Sequence, residues 1–338
     1  MQRDFRFDIA RSICLFYIVA ILHLSQYLGQ SFYLYNTFIG RLITFSCLGL
    51  FTFISGYLIG KKYTFTPTSS SKDILRFYKK RFIRIYPMFF LATILLCLIG
   101  FNSLLSSALG LIGMASFVTE QPKTLWYVSM LILFYLLTPL VNRKSTLWKI
   151  LMSTSIIVLF CTLKLFIPVD PRFIFNLFFY CLGLVLSDVN LSYFNRTDHS
   201  NTILHIAVIV GFIAFLLLTN RFYQNTPALL FAGAIGVMAL FSLSNLLSNI
   251  HNQAFSFFIS FVSYASMVCY MFHRFYYWAG LKVFSPGTTV TKVIYMITVF
   301  TIGLVVSFFI QKRYDHIIQK VNSPNLELPH RPIVKKRL

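Results

Sequence analysis

The sequence predicts an all-α fold: a polytopic transmembrane helix bundle of about ten transmembrane helices, with both termini cytoplasmic. Three observations predict it. The 338 residues are 57% hydrophobic and only 12% charged, against roughly 25% charged in soluble globular chains. Apolar runs of about twenty residues, the length that crosses a bilayer, recur from one end to the other. The 30 Lys and Arg concentrate in alternate connecting segments, as the positive-inside rule requires.

The apolar runs place helices near 12–29, 38–60, 85–101, 124–141, 150–167, 172–189, 203–219, 226–247, 257–279 and 290–311. The stretch 103–119 is rich in Ser and Gly and only weakly apolar, so it reads as a re-entrant or interfacial segment. With the N-terminus inside, the cytoplasmic segments receive Arg3, Arg6 and Arg11, the bases from Lys61 to Arg84, Arg143, Lys144, Lys149 and Arg196, and the bases from Lys312 onward. Letting 103–119 span would move Arg143, Lys144 and Lys149 outside and weaken that asymmetry. The domain reading is one transmembrane unit over 1–315 and a basic cytoplasmic tail over 316–338. Asn190 and Asn195 head glycosylation sequons but fall on the inner side.

Composition also excludes functions. The +21 net charge belongs to membrane topology and anionic lipid rather than to nucleic acid. The six cysteines lie in apolar runs with no CxxC and no Cys/His ligand spacing, so neither a disulfide nor a metal site is expected. No two carboxylates face each other within the apolar runs, which argues against a proton-relay pump and against two-carboxylate glycoside chemistry.

Ionisable residues inside a membrane are costly, so the few present are candidates for chemistry. His23 sits in the outer half of the first helix, twelve residues after Arg11, roughly 18 Å along an α-helix. A neutral imidazole there can take a proton from a hydroxyl; the alternative is a structural histidine bonded to a neighbouring helix. His273 lies near the outer end of its helix, with an interfacial role in an aromatic belt as the alternative. The run from Arg76 to Pro87 carries Arg76, Lys80, Arg81 and Arg84 at helical spacing. It reads either as an anchor to anionic lipid or as a site for a phosphorylated donor, because guanidinium forks suit phosphate oxygens.

Several separated motifs together resemble the acyltransferase-3 family of integral membrane acyltransferases. They are Arg6-Phe7-Asp8-Ile9-Ala10-Arg11 with the apolar run to His23, Phe53 to Gly60 around Ser55-Gly56, and Lys80-Arg81-Phe82-Ile83-Arg84-Ile85-Tyr86-Pro87. Leu125-Trp126-Tyr127-Val128 continuing to Phe134-Tyr135…Pro139, and Ser263-Tyr264…Tyr270-Met271-Phe272-His273, complete the set. The order and spacing cover residues 6 to 273. One departure stands out: the family usually places its Arg eleven positions before the His, and here the spacing is twelve. On an α-helix that leaves the two side chains about 120° apart unless a local bulge absorbs one residue.

The resemblance implies transfer of an acyl group, often acetyl, from cytoplasmic acyl-CoA (acetyl-CoA) to a hydroxyl of a cell-envelope polysaccharide or glycan precursor. It implies catalytic roles for His23, as base or transient acyl carrier, and for Arg11, which would bind CoA or polarise the thioester. It implies donor binding by Arg76, Lys80, Arg81 and Arg84, and substrate binding by Trp126, Tyr135, Tyr270 and His273. Ser55-Gly56 is read as a site of close helix packing. The expected partners are acyl-CoA as donor substrate, a carbohydrate acceptor, membrane lipid, and a partner protein or second copy. No permanently bound cofactor and no nucleic acid is expected. The expected location is the inner (cytoplasmic) cell membrane. The competing function is export or flipping of a polysaccharide intermediate.

Overall fold

A computed structural model describes residues 4–27, 37–66, 69–118, 121–189, 199–218 and 226–322. Asn190, Asn195 and the end of the tail, 323–338, lie outside the described residues. Within them the chain is all-helical: α1 (Phe5–Leu15), a π-helical segment (Phe16–His23), α2 (Phe38–Lys62), α3 (Ser71–Leu98), α4 (Leu104–Leu111), α5 (Trp126–Val141), α6 (Thr146–Leu163), α7 (Pro171–Leu186), α8 (His199–Leu218), α9 (Thr226–Leu247), α10 (Gln253–Val283) and α11 (Thr289–Asn322). A single turn of 3-10 helix, Met114–Phe117, follows α4.

Five of these helices are long and apolar enough to cross a membrane: α2, α3, α6, α10 and most of α11. The apolar stretches of α5, α7, α8 and α9 are shorter. Large apolar side chains stand exposed on the outer helices, among them Leu147, Leu151, Val158 and Leu159 on α6 and Ile297, Ile302 and Phe309 on α11. Helices apolar on all faces belong in lipid, so these faces meet acyl chains.

Helix starts follow capping chemistry. Thr37 accepts from the Gly40 amide, Ser145 from that of Trp148 and Asn252 from that of Phe255. Two boundaries differ from the apolar runs. α3 begins fourteen residues before its expected start at 85, because Ser70 and Asp73 form a capping box and carry the helix through the basic segment. α11 runs on to Asn322, eleven residues past its expected end at 311. The start of that extension is docked: the Tyr264 hydroxyl donates to Asp315 at 2.6 Å and the Tyr314 hydroxyl to the Ile83 carbonyl.

The stretch 103–119 does not cross. α4 has eight residues, about 12 Å of helix. The chain reverses at Gly113 (φ 86°), and the Lys123 amide donates to Asn102 at 2.8 Å. The segment therefore begins and ends at one end of the bundle.

α2 lies at the centre, packed against α7, α9 and α1. Its closest partner is α7, and glycines make the approach. A Cβ on Gly56 would strike the Tyr180 carbonyl, and one on Gly183 would strike the backbone of Phe53 and Tyr57. The Ser55-Gly56 motif is thus a packing site, as the small-residue pattern implies. Because the obstacle is backbone, Gly183→Val is expected to cost about 3 kcal/mol or more, read as a lower thermal midpoint and aggregation of the detergent-solubilised protein. An unchanged midpoint would mean that the two helices are not in this contact.

Candidate active site

Two cavities open at opposite ends of the bundle. The larger, 1160 Å³, lies where α1 begins, α2 ends and α3 begins. Its wall holds Arg11, Lys62, Arg76, Lys79, Lys80, Arg81 and Arg84. All four of the basic residues singled out on α3 are there. The Arg81 guanidinium sits over the rings of Tyr63, Phe77 and Tyr135 at 5.3, 5.7 and 5.9 Å, which holds a charged fork at the edge of an aromatic floor. Three carboxylates also line this cavity. Asp4 pairs with Arg6 at 2.6 Å. Asp8 accepts from Ser263 at 2.7 Å and lies 3.9 Å from Arg11. Asp315 accepts from Tyr264 and from Gln311. The basic character therefore dominates.

The smaller cavity, 240 Å³, lies at the other end. His23, Trp126, Lys123, Thr124, Arg172 and Arg274 line it, with Gln121 and Thr44 adding polar groups. Among the described residues, Tyr270 is the one that lines both cavities. Its hydroxyl donates to the Thr124 carbonyl at 3.0 Å, and its ring meets Tyr127 edge-on at 5.6 Å. Tyr270 is the partition between the two spaces.

His23 Nδ1 lies 2.8 Å from Nε2 of His273. The ring planes are 4° apart and the centroids 4.8 Å apart. A nitrogen contact that short excludes face-to-face stacking, so the rings meet edge to edge through a hydrogen bond. The tautomers follow. His273 Nδ1 lies 2.6 Å from the Tyr270 carbonyl oxygen, which only accepts, so Nδ1 carries the proton and Nε2 the lone pair. His23 Nδ1 must then donate to it. The lone pair left over is on Nε2 of His23, the histidine of the pair that lines the cavity. This is the arrangement of a base held by an orienting partner. His273, 1% exposed, stands behind His23 and does not line either cavity, so it is placed to orient rather than to touch substrate.

The twelve-residue spacing resolves in the π-helical segment. At about 100° per residue, the five steps from Arg11 to Phe16 turn about 500°. A helix with i→i+5 bonds has about 4.4 residues per turn, so the seven steps on to His23 turn about 570°. The total of about 1070° lies within about 10° of three full turns. Arg11 and His23 therefore leave the helix on one face, one toward each cavity, on either side of Tyr270.

Two further placements separate residues that the sequence reading grouped or passed over. Trp126 lines the histidine cavity, whereas Tyr135 lines the basic cavity under Arg81. Nine residues separate the two aromatics along α5, about 13 Å of helix, which carries the second to the opposite end. Arg274, next to His273, is buried and faces the histidine cavity. Asp8, Ser263 and Thr124 were not singled out from sequence. Its place inside the Arg6–Arg11 motif was the signal available for Asp8; its tie from α1 to α10 comes from the fold.

A family model described as an acyltransferase domain, that of the acyltransferase-3 family, matches residues 4–312. The chain belongs to the acyltransferase-3 family. The match runs from the α1 cap into α11, so the smaller cavity, the histidine pair and all of the larger cavity's wall but Asp315 and Ile318 fall within the acyltransferase-3 domain. No characterised protein and no solved structure matches the chain. As an acyltransferase-3 protein it is an acyl-group transferase, and its apolar helices make it a membrane protein.

Proposed function

We propose that this protein moves an acyl group, acetyl in the expected case, from acyl-CoA in the basic cavity to a hydroxyl of a cell-envelope polysaccharide or glycan precursor in the histidine cavity. The observation that carries the reading is the division of labour across Tyr270. Basic side chains line one side, and a histidine with an uncommitted ring nitrogen lines the other.

The chemistry follows from those groups. Nε2 of His23 takes the proton of the acceptor hydroxyl. The oxygen attacks the thioester carbonyl, the C–S bond breaks, and the thiolate of CoA leaves and receives the proton from His23. The products are an acyl ester and CoA. While His23 carries the extra proton, its Nδ1–H stays bonded to His273, whose own Nδ1–H stays bonded to the Tyr270 carbonyl. The imidazolium is thus stabilised without reorganisation. Arg11, in the wall of the basic cavity, would polarise the thioester carbonyl. Arg76, Lys80, Arg81 and Arg84 would hold the diphosphate and ribose phosphate of CoA. In this reading the basic end faces the cytoplasm of a cell whose inner membrane holds the protein, with about ten spans and both termini inside, consistent with the positive-inside rule.

The test is transfer of labelled acetyl from acetyl-CoA to isolated envelope glycan by the purified protein, scored as alkali-labile label. The competing exporter reading predicts unlabelled glycan and its accumulation inside cells that lack the protein. Within the transferase, Arg81→Ala combined with Arg84→Ala is expected to raise KM for acyl-CoA by about 10-fold or more, with a much smaller fall in kcat. An unchanged KM would remove the basic cavity from donor binding.

A further inference from the structure

The histidine cavity carries a charge that the acyl-transfer reading does not use. Among the described residues five titratable groups line it, His23, Lys123, Arg172, Tyr270 and Arg274, and none is an Asp or Glu. Arg172 is neutralised: it bonds Asp170 through Nε at 2.9 Å and Nη2 at 2.5 Å. Burial alone would raise the Asp170 carboxyl, but hydrogen bonds and charge from Arg172, with the Gln121 amide, outweigh it and hold the group below its ordinary range.

Arg274 has no such partner. It is 7% exposed, and among the described residues no carboxylate pairs with it. Its neighbours are neutral. Nε donates to the Thr124 hydroxyl, and the guanidinium lies 5.4 Å from the centre of the Phe101 ring. The Lys123 ammonium lies 5.0 Å from the centre of the same ring. Two cations on one phenyl ring repel each other, and a buried charge without a counter-ion is strongly unfavourable. Thr124 adds to the case. A β-branched residue at φ 68° is strained, and two contacts from α10 hold it there, the Arg274 bond to its hydroxyl and the Tyr270 bond to its carbonyl. The structure thus holds Arg274 at the edge of the cavity, with its Nε tied to Thr124 and the Tyr27 hydroxyl beside its guanidinium.

We propose that this cavity recognises an acidic sugar, whose carboxylate or phosphate oxygens bind the Arg274 fork with Lys123 as the second cation. The proposal rests on the acyltransferase reading and names its acceptor class. Volume and lining agree with it. At 240 Å³ the space is below the roughly 300–1,000 Å³ of drug-sized sites, which suits one sugar unit rather than a long segment. Trp126 forms part of the wall, with the Arg172 guanidinium over its ring at 4.2 Å. A bidentate contact to a planar carboxylate is the geometry that Arg supplies and Lys does not.

The experiment measures binding with no acyl donor present, using full-length protein in nanodiscs. The probes are methyl glucuronide and methyl galacturonide, glucose 6-phosphate, and the neutral methyl glucoside and methyl galactoside. At low salt, at least one acidic probe is expected to bind 10-fold or more tighter than its neutral counterpart. The preference should shrink as salt rises and vanish in Arg274→Gln. Arg274→Lys should keep part of it and guards against a folding defect in the first variant. Whichever acidic probe binds best identifies carboxylate or phosphate. Equal binding of acidic and neutral probes by the wild-type protein overturns the proposal. So does a preference that survives Arg274→Gln, or one that ignores salt. Because no donor is present, a failure of acyl transfer does not affect this result. Conversely, transfer to neutral glycans with no acidic preference would leave the transferase reading intact and remove this one.

Discussion

His23→Ala is expected to lower acyl transfer about 1000-fold, the scale of a lost general base, while leaving the protein folded and acyl-CoA affinity unchanged. The separation is expected because His23 lines only the smaller cavity and the basic side chains of α3 line the other. His273 provides the internal control. His273→Ala removes the acceptor that fixes the His23 tautomer, so it should lower kcat by about 100-fold without a comparable change in KM. His273→Gln keeps a side-chain oxygen able to accept from Nδ1 of His23 and should recover part of that loss. A purely structural role would give the two variants the same defect. Equal activity of His23→Ala and wild type would eliminate His23 as the base.

The second large effect concerns the π-helical segment. It makes twelve residues turn as eleven would on an α-helix. Inserting one alanine after Leu15 is expected to swing His23 by about 100°, away from His273, and to reduce transfer as severely as His23→Ala. Deleting Phe16 should be far milder. That residue is 51% exposed on the outside of the bundle, and its loss lets the segment revert to α-helix with Arg11 and His23 still on one face. The check is the rate of labelled acetyl transfer by the two variants, with donor binding as the control for folding. If both variants were equally inactive, register would not be what the segment provides.

Much of the fold was legible because lipid imposes a blunt requirement. A span must be an unbroken apolar run, so α2, α5, α7, α9 and α10 were readable within a few residues. α3 was misread at its start because its first turns leave the apolar region. Hydropathy is blind there, although the Ser70…Asp73 capping signal was in the sequence. His23 and the bases of α3 stood out because ionisable groups in or beside a membrane are expensive. The odd Arg11–His23 spacing was itself a readable sign of a bulge. Contacts between distant segments were not readable. His23 and His273 are 250 positions apart, and nothing local in either helix indicates that their rings share a proton. The role of Arg274 was not readable because one sequence does not reveal which face of α10 turns inward. Nor does it reveal that Trp126 and Tyr135, at opposite ends of α5, line different cavities.

The central claim is that an acyl group passes across the Tyr270 partition from one end of the bundle to the other. Sealed vesicles test it most directly, with acetyl-CoA supplied only outside and glycan acceptor only inside. Protein molecules with the basic end outward should acetylate the enclosed acceptor, and His23→Ala should abolish that signal. Acetylation only when donor and acceptor share one side, with none of the enclosed acceptor modified, would contradict it.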